Sequence, residues 1–114
     1  MDHDTLTRAI LRAVSRQAGW EILLALRQGP TRFSELEEGT QVSPRTLSER
    51  LRELVELGLV GRRAFAEVPP RVEYTLTPLG LKLLEALESL EGLLLDLDAD
   101  GSLPKPNLKS SEDQ

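Results

Sequence analysis

The sequence has 114 residues, no cysteine, one histidine and a formal net charge of -5 at pH 7. That length holds one domain with a modest core, and the missing cysteine excludes a disulfide framework, a thiolate zinc site and a thiol nucleophile. No apolar run is long enough to span a bilayer, and the opening MDHDTLTR is too polar for a secretory signal, so a cytoplasmic protein is expected.

The charge is unevenly spread. Residues 1–30 carry net +1, residues 31–77 net -1 and residues 78–114 net -5. The acidity therefore belongs to the last third. Arginine outnumbers lysine 11 to 3, and every cation before residue 78 is an arginine. An acidic protein still binds a polyanion when its arginines converge on one face, because the local potential decides.

Residues 4–17 are expected to be helical, with Leu6, Ile10, Ala13 and Val14 on one face and Asp4 as the cap. A second, strongly apolar helix is expected over Trp20 to Arg27, stopped by Gly29-Pro30. A short third helix over Ser34 to Glu38 precedes a turn at Gly39-Thr40-Gln41. The fourth begins at Ser43, a good N-cap, with Pro44 at the first helical position. Leu47, Leu51 and Leu54 line its inner face, and Gly58 suits a left-handed C-cap. Arg45, Ser48, Glu49 and Arg52 fall on the opposite face, and Thr46 and Arg50 on its flanks.

Leu59 to Phe65 and Arg71 to Thr77 read as two strands of a hairpin, the second with Val72, Tyr74 and Leu76 on an apolar face. Thr77-Pro78 repeats the cap-plus-proline device and opens a last helix over about 78–97. There Leu83, Leu87, Leu90, Leu94 and Leu97 recur at the 4-3-4-3 spacing of a coiled-coil seam. So much leucine exceeds what one small domain can cover. Residues 98–114 are expected to be a disordered acidic and polar tail. The expected fold is mainly α with a small β-hairpin (α+β). It is a winged helix-turn-helix over 1–97, with an extra dimerisation helix at each end.

In a helix-turn-helix the second helix enters the major groove with its N-terminal residues at base edges. That makes Ser43, Arg45, Thr46 and Glu49 the expected base readers, with Ser48 and Arg50 beside them. Arg32, Arg62, Arg63 and Arg71 would hold phosphates or the groove beside the wing. A plain solvated helix face and a charge-protected strand edge would carry the same residues, so the order of the elements is what favours DNA. Because Arg62 and Arg63 are adjacent, a regular strand lets only one of them share a face with Arg71. Asp96 to Gly101 matches the start of a calcium loop, but Asn107 replaces the bidentate Glu, so a frayed helix end is the preferred reading. The lone His3 builds no triad or histidine metal site, and no catalytic residue, metal or cofactor is expected. Trp20 and Phe33 are read as core rather than as ligand-stacking rings.

The runs WEILLAL, G-x-x-RF-x-EL, S-x-R-x-L-x-x-RLR-x-L, GLV-x-R and PPRVEY-x-LTP-x-G, in this order over about residues 8–90, resemble the HxlR-type transcription regulators. The resemblance implies a bacterial or archaeal homodimer that binds an inverted-repeat operator, with its terminal helices forming the dimer. Leu6, Ile10, Leu83, Leu87, Leu90 and Leu94 are the interface residues this implies. Relatives of this type often sense oxidants through a cysteine, which these 114 residues do not hold. The expected partners are double-stranded DNA, a second copy of the chain and an unnamed small-molecule effector. The alternative is a winged-helix module that binds a protein instead of DNA.

Overall fold

The computed structural model describes residues 2–104. The elements in order are α1 (His3–Ser15), α2 (Gly19–Leu26), β1 (Thr31–Arg32), α3 (Phe33–Thr40), α4 (Pro44–Glu56), β2 (Val60–Phe65), β3 (Arg71–Leu76) and α5 (Pro78–Ala99). A first compact unit extends to Leu84 and a second begins at Glu85, within α5. The last ten residues of the expected tail, 105–114, and with them Asn107 of the calcium-loop match, lie outside the described residues.

Local chemistry sets most of the helix ends. The cap of α1 is Asp2, not the expected Asp4, and its carboxylate accepts a 2.7 Å hydrogen bond from Thr5 N. That amide, with the Thr5 side chain second, holds the Asp2 carboxyl below its ordinary value. Ser43 caps α4 by accepting from Thr46 N at 3.1 Å, and Pro44 follows at the first turn. The other end of α4 closes as a Schellman motif. Leu59 N donates to Leu54 O and Gly58 N to Val55 O, each at 3.0 Å, with Gly58 at φ +77°. The expected turn at 39–41 shrinks to a single left-handed residue, Gln41, because Gly39 and Thr40 complete α3. The end of α5 is closed rather than frayed. Ser102 N donates to Leu97 O at 2.8 Å and Gly101 takes a positive φ, so Asp96 and Asp98 are helical and form no loop.

The sheet is three-stranded and antiparallel, in the order β1-β3-β2, where the sequence suggested only a hairpin. Thr31 and Arg32 pair with Tyr74 and Glu73, which makes β3 the central strand. This explains why β3 lacks the expected clean alternation: Tyr74 is buried and its five neighbours in the strand are all half-buried. The core of the first unit is built on Ile22, Leu23, Leu26, Leu36, Leu47, Leu51, Leu54, Leu59 and Leu84, with no buried charge among the described residues. Trp20, Phe33, Ile10 and Val14 pack against it, half-buried, as the core reading expected.

The start of α5 is stitched to the end of α4. Thr77 N donates to Leu59 O at 3.1 Å, the Thr77 hydroxyl donates to Gly58 O, and Gly80 N donates to Thr77 Oγ1 at 3.0 Å. Gly80 is buried there, and a Cβ on it would lie 2.1 Å from Leu59 O. Two substitutions test this packing against helix propensity in urea unfolding. Gly80→Ala is expected to cost about 1–3 kcal/mol, because a backbone atom blocks the added methyl. Gly39→Ala, where nothing lies within 4 Å, is expected to stabilise α3 by about 0.5–1 kcal/mol.

Candidate nucleic-acid interface

α3, the residues around Gln41 and α4 form the helix-turn-helix, with α4 as its second helix. Leu47, Leu51 and Leu54 anchor α4 in the core, so residues on the opposite side point outward. Ser43, Arg45, Ser48, Glu49 and Arg52 are exposed. Thr46 is half-buried, and its hydroxyl accepts from Ser43 Oγ at 3.1 Å. Arg45 Nε stands 3.4 Å from Glu49 Oε1 in an i,i+4 ion pair, a contact worth about 0.3–0.5 kcal/mol at an exposed site.

Arg50 faces elsewhere. It is half-buried, and its Nε donates at 3.2 Å to the carbonyl of Gln17, in the connection between α1 and α2. Arg16 reaches the same helix through Glu53 at 3.2 Å. Together these contacts brace α4 against the end of α1. The sequence offered no signal for the Arg50 contact, since the partner is a backbone carbonyl 33 residues away.

The strand register separates the wing arginines. Arg62 stands opposite Tyr74, whereas Arg63 and Arg32 both stand opposite Glu73. Directly paired residues share a face and neighbours alternate. Arg62 therefore lies on the Tyr74 side, toward α4. Arg63, Arg32, Phe65, Arg71 and Glu73 lie on the other. On that outer face Arg71 is half-buried and pairs with Glu67 at 2.9 Å and Glu73 at 3.7 Å. Its guanidinium lies 4.0 Å from the Phe65 ring centroid, with Arg63 at 4.7 Å. Two carboxylates and a ring thus occupy the side chain expected to reach DNA from the wing. The tip itself, Glu67 to Pro70, carries a fully exposed Val68 and no cation.

A residue outside the expected set joins the site. Arg52 lines a cleft of about 290 Å³ between α4 and the sheet, together with Ser48, Arg62, Glu56 and Tyr74. Neither Arg52 nor Arg62 has an ion pair among the described residues. Helix spacing already put Arg52 on the exposed face. Its partnership with Arg62 depends on the strand register, which a single sequence does not give.

An arginine-bearing second helix, packed on a short first helix and flanked by a β-hairpin, is the layout of a winged helix-turn-helix. The HxlR-like helix-turn-helix model matches residues 14–96. The chain belongs to the HxlR-like family. It is 41% identical over 85 residues to YtfH of Escherichia coli strain K12, named as an uncharacterised HTH-type transcriptional regulator, which covers 74% of this chain and 68% of that protein. An archaeal relative with a name of the same kind, from Methanothermobacter thermautotrophicus, is 41% identical over 70 residues, covering 60% of this chain and 53% of its own length. Among solved structures, a putative MarR-family regulator of Enterococcus faecalis V583 superimposes with a TM-score of 0.78 at 36% identity, covering 90% of this chain and 94% of that one. Relatives of this chain thus occur in both bacteria and archaea. No helix of the described residues is long and apolar enough to cross a membrane.

The two faces of the wing predict different behaviour in this family member. Arg71→Ala is expected to lower stability by about 1–2 kcal/mol, because Glu67 and Glu73 lose their shared cation. Arg62→Ala, which breaks no ion pair, is expected to stay within about 0.5 kcal/mol of the parent. Thermal unfolding of both proteins checks the contrast.

Proposed function

We propose that this HxlR-like protein is a homodimeric, sequence-specific DNA-binding transcriptional regulator that reads an inverted-repeat operator. Each subunit would lay α4 in a major groove, with Ser43, Arg45, Ser48 and Glu49 toward the bases. Arg52 and Arg62 would grip the backbone beside it. The observation that carries this reading is the meeting of Arg52 and Arg62 in the cleft beside α4, a helix whose exposed face also bears Arg45. The net negative charge comes instead from residues 78–114. Arg32 and Arg63, on the outer face of the wing, would meet more distant phosphates, and Arg71 would shape the wing. Thr46 would serve the reading helix through its cap and Arg50 through its brace.

The dimer would be built from α1 and α5. Leu90, Leu93, Leu94 and Leu95 are exposed in the second unit, and Leu83, Leu87 and Leu97 are half-buried. In α1, Leu11 is exposed and Leu6 half-buried, while Ile10 packs on the chain's own core. An isologous pairing of such helices would cover apolar surface that one chain leaves in water.

Binding and assembly are tested separately. Arg45→Ala is expected to relax base preference. Arg52→Ala and Arg62→Ala should weaken binding to every duplex alike, each lowering the slope of log K against log salt by roughly 0.9. A protein-interaction module would show no salt-dependent DNA binding even in the parent. The double substitution Leu90→Lys with Leu94→Lys touches only exposed positions, so it is expected to yield folded monomers in sedimentation. A surviving dimer would move the interface elsewhere.

A further inference from the structure

We propose that Glu49 reads no base itself but positions Arg45 on a guanine, so that the pair specifies G at one place in each half-site. The inference rests on the DNA-binding reading above. Arg45 and Glu49 stand one helical turn apart on the outward face of α4, and the contact is made through Arg45 Nε. Engaging Nε leaves Nη1 and Nη2 free. Those two amines form the end-on fork that matches guanine O6 and N7.

Helix stability gives little reason for the pair. The arginine precedes the glutamate, the reverse of the order that the helix dipole favours. Pairing with a groove does give one. The Arg45 side chain is 90% exposed, and a long, unrestrained side chain loses rotamer freedom when it meets a base. A carboxylate one turn along the helix, itself 46% exposed, removes part of that loss beforehand. Among the described residues Arg45 is the only cation within ion-pair distance of Glu49. Without this role or a cytosine contact of its own, an acid at this position would only repel phosphates.

Removing the Glu49 carboxylate should therefore push two measured quantities in opposite directions. Affinity for random duplex rises by roughly two- to five-fold at low salt, because a charge facing the polyanion is gone. Discrimination for guanine falls by roughly ten-fold, because the fork is no longer held. A merely solvated acid would produce the first effect without the second.

The test is selection of bound sequences from a randomised duplex pool, followed by anisotropy titration of the selected site and its single-base variants. The proteins are the parent, Arg45→Ala, Glu49→Ala and Glu49→Gln, each checked for fold by circular dichroism. Arg45→Ala and Glu49→Ala are expected to lose the same guanine and nothing else. Glu49→Gln, which keeps an acceptor oxygen, is expected to retain part of the preference. The proposal is overturned if both Glu49 variants keep that guanine at parental strength. It is equally overturned if they lose a cytosine that Arg45→Ala leaves intact, which would make Glu49 a base reader. A parent that selects no sequence at all would sink the DNA-binding reading and this inference with it.

Discussion

The carbonyl of Leu59 accepts a hydrogen bond from Thr77 N, while Gly80 sits against the same carbonyl with no room for a side chain. One residue earlier, Gly58 closes α4 in a left-handed conformation and offers its own carbonyl to the Thr77 hydroxyl. The end of α4, the first turn of α5 and the entry to β2 thus meet at two consecutive peptide groups. The placement of Arg62 beside Arg52 follows from this. β2 begins at Val60, and its pairing with β3 carries Arg62 to the α4 side and Arg63 to the far side. Backbone hydrogen bonds and one absent methyl group set that geometry, which long surface side chains could not hold.

Around this joint the charges separate by purpose. Arg50 and Arg16 spend their charge on bracing α4, through Gln17 and Glu53. Arg71 is matched by Glu67 and Glu73 and stacked on Phe65, which stiffens the tip end of the hairpin. Arg52 and Arg62 form no ion pair among the described residues, in one cleft that Glu56 also lines. A count of arginines along the middle of the chain treats all of these as equal. Only the pairing pattern shows which of them still present a net field to an anion.

Local chemistry was legible in the sequence; contacts between distant segments were not. Ser43-Pro44, Gly58 and Thr77-Pro78 mark helix ends because capping involves residues three or four apart. The leucines of α4 declared its buried side for the same reason. β1 escaped notice because two residues carry no periodicity, and only pairing with β3 makes them a strand. Ala18 and Gln41 adopt left-handed backbones without being glycine or asparagine, so the start of α2 and the end of α3 could not be placed by residue type. At the site, the outward face of α4 was readable from helical spacing. Arg50, expected on the flank of α4, is bonded to a carbonyl far away in sequence, and the opposite facing of Arg62 and Arg63 waited on the strand register.

The Schellman closure of α4 also has a mechanical side. A helix that ends in a slack loop can rock or twist in place when a neighbour pushes on it. Here both amides after the last turn are tied back into α4, and both carbonyls at the same point are tied forward to Thr77 or sealed by Gly80. This end of α4 behaves as a solid part with no slack segment in it. In the dimer proposed above, the fit to DNA would then be adjusted through the gap between the two α4 helices, as callipers are set at the hinge and never at the points.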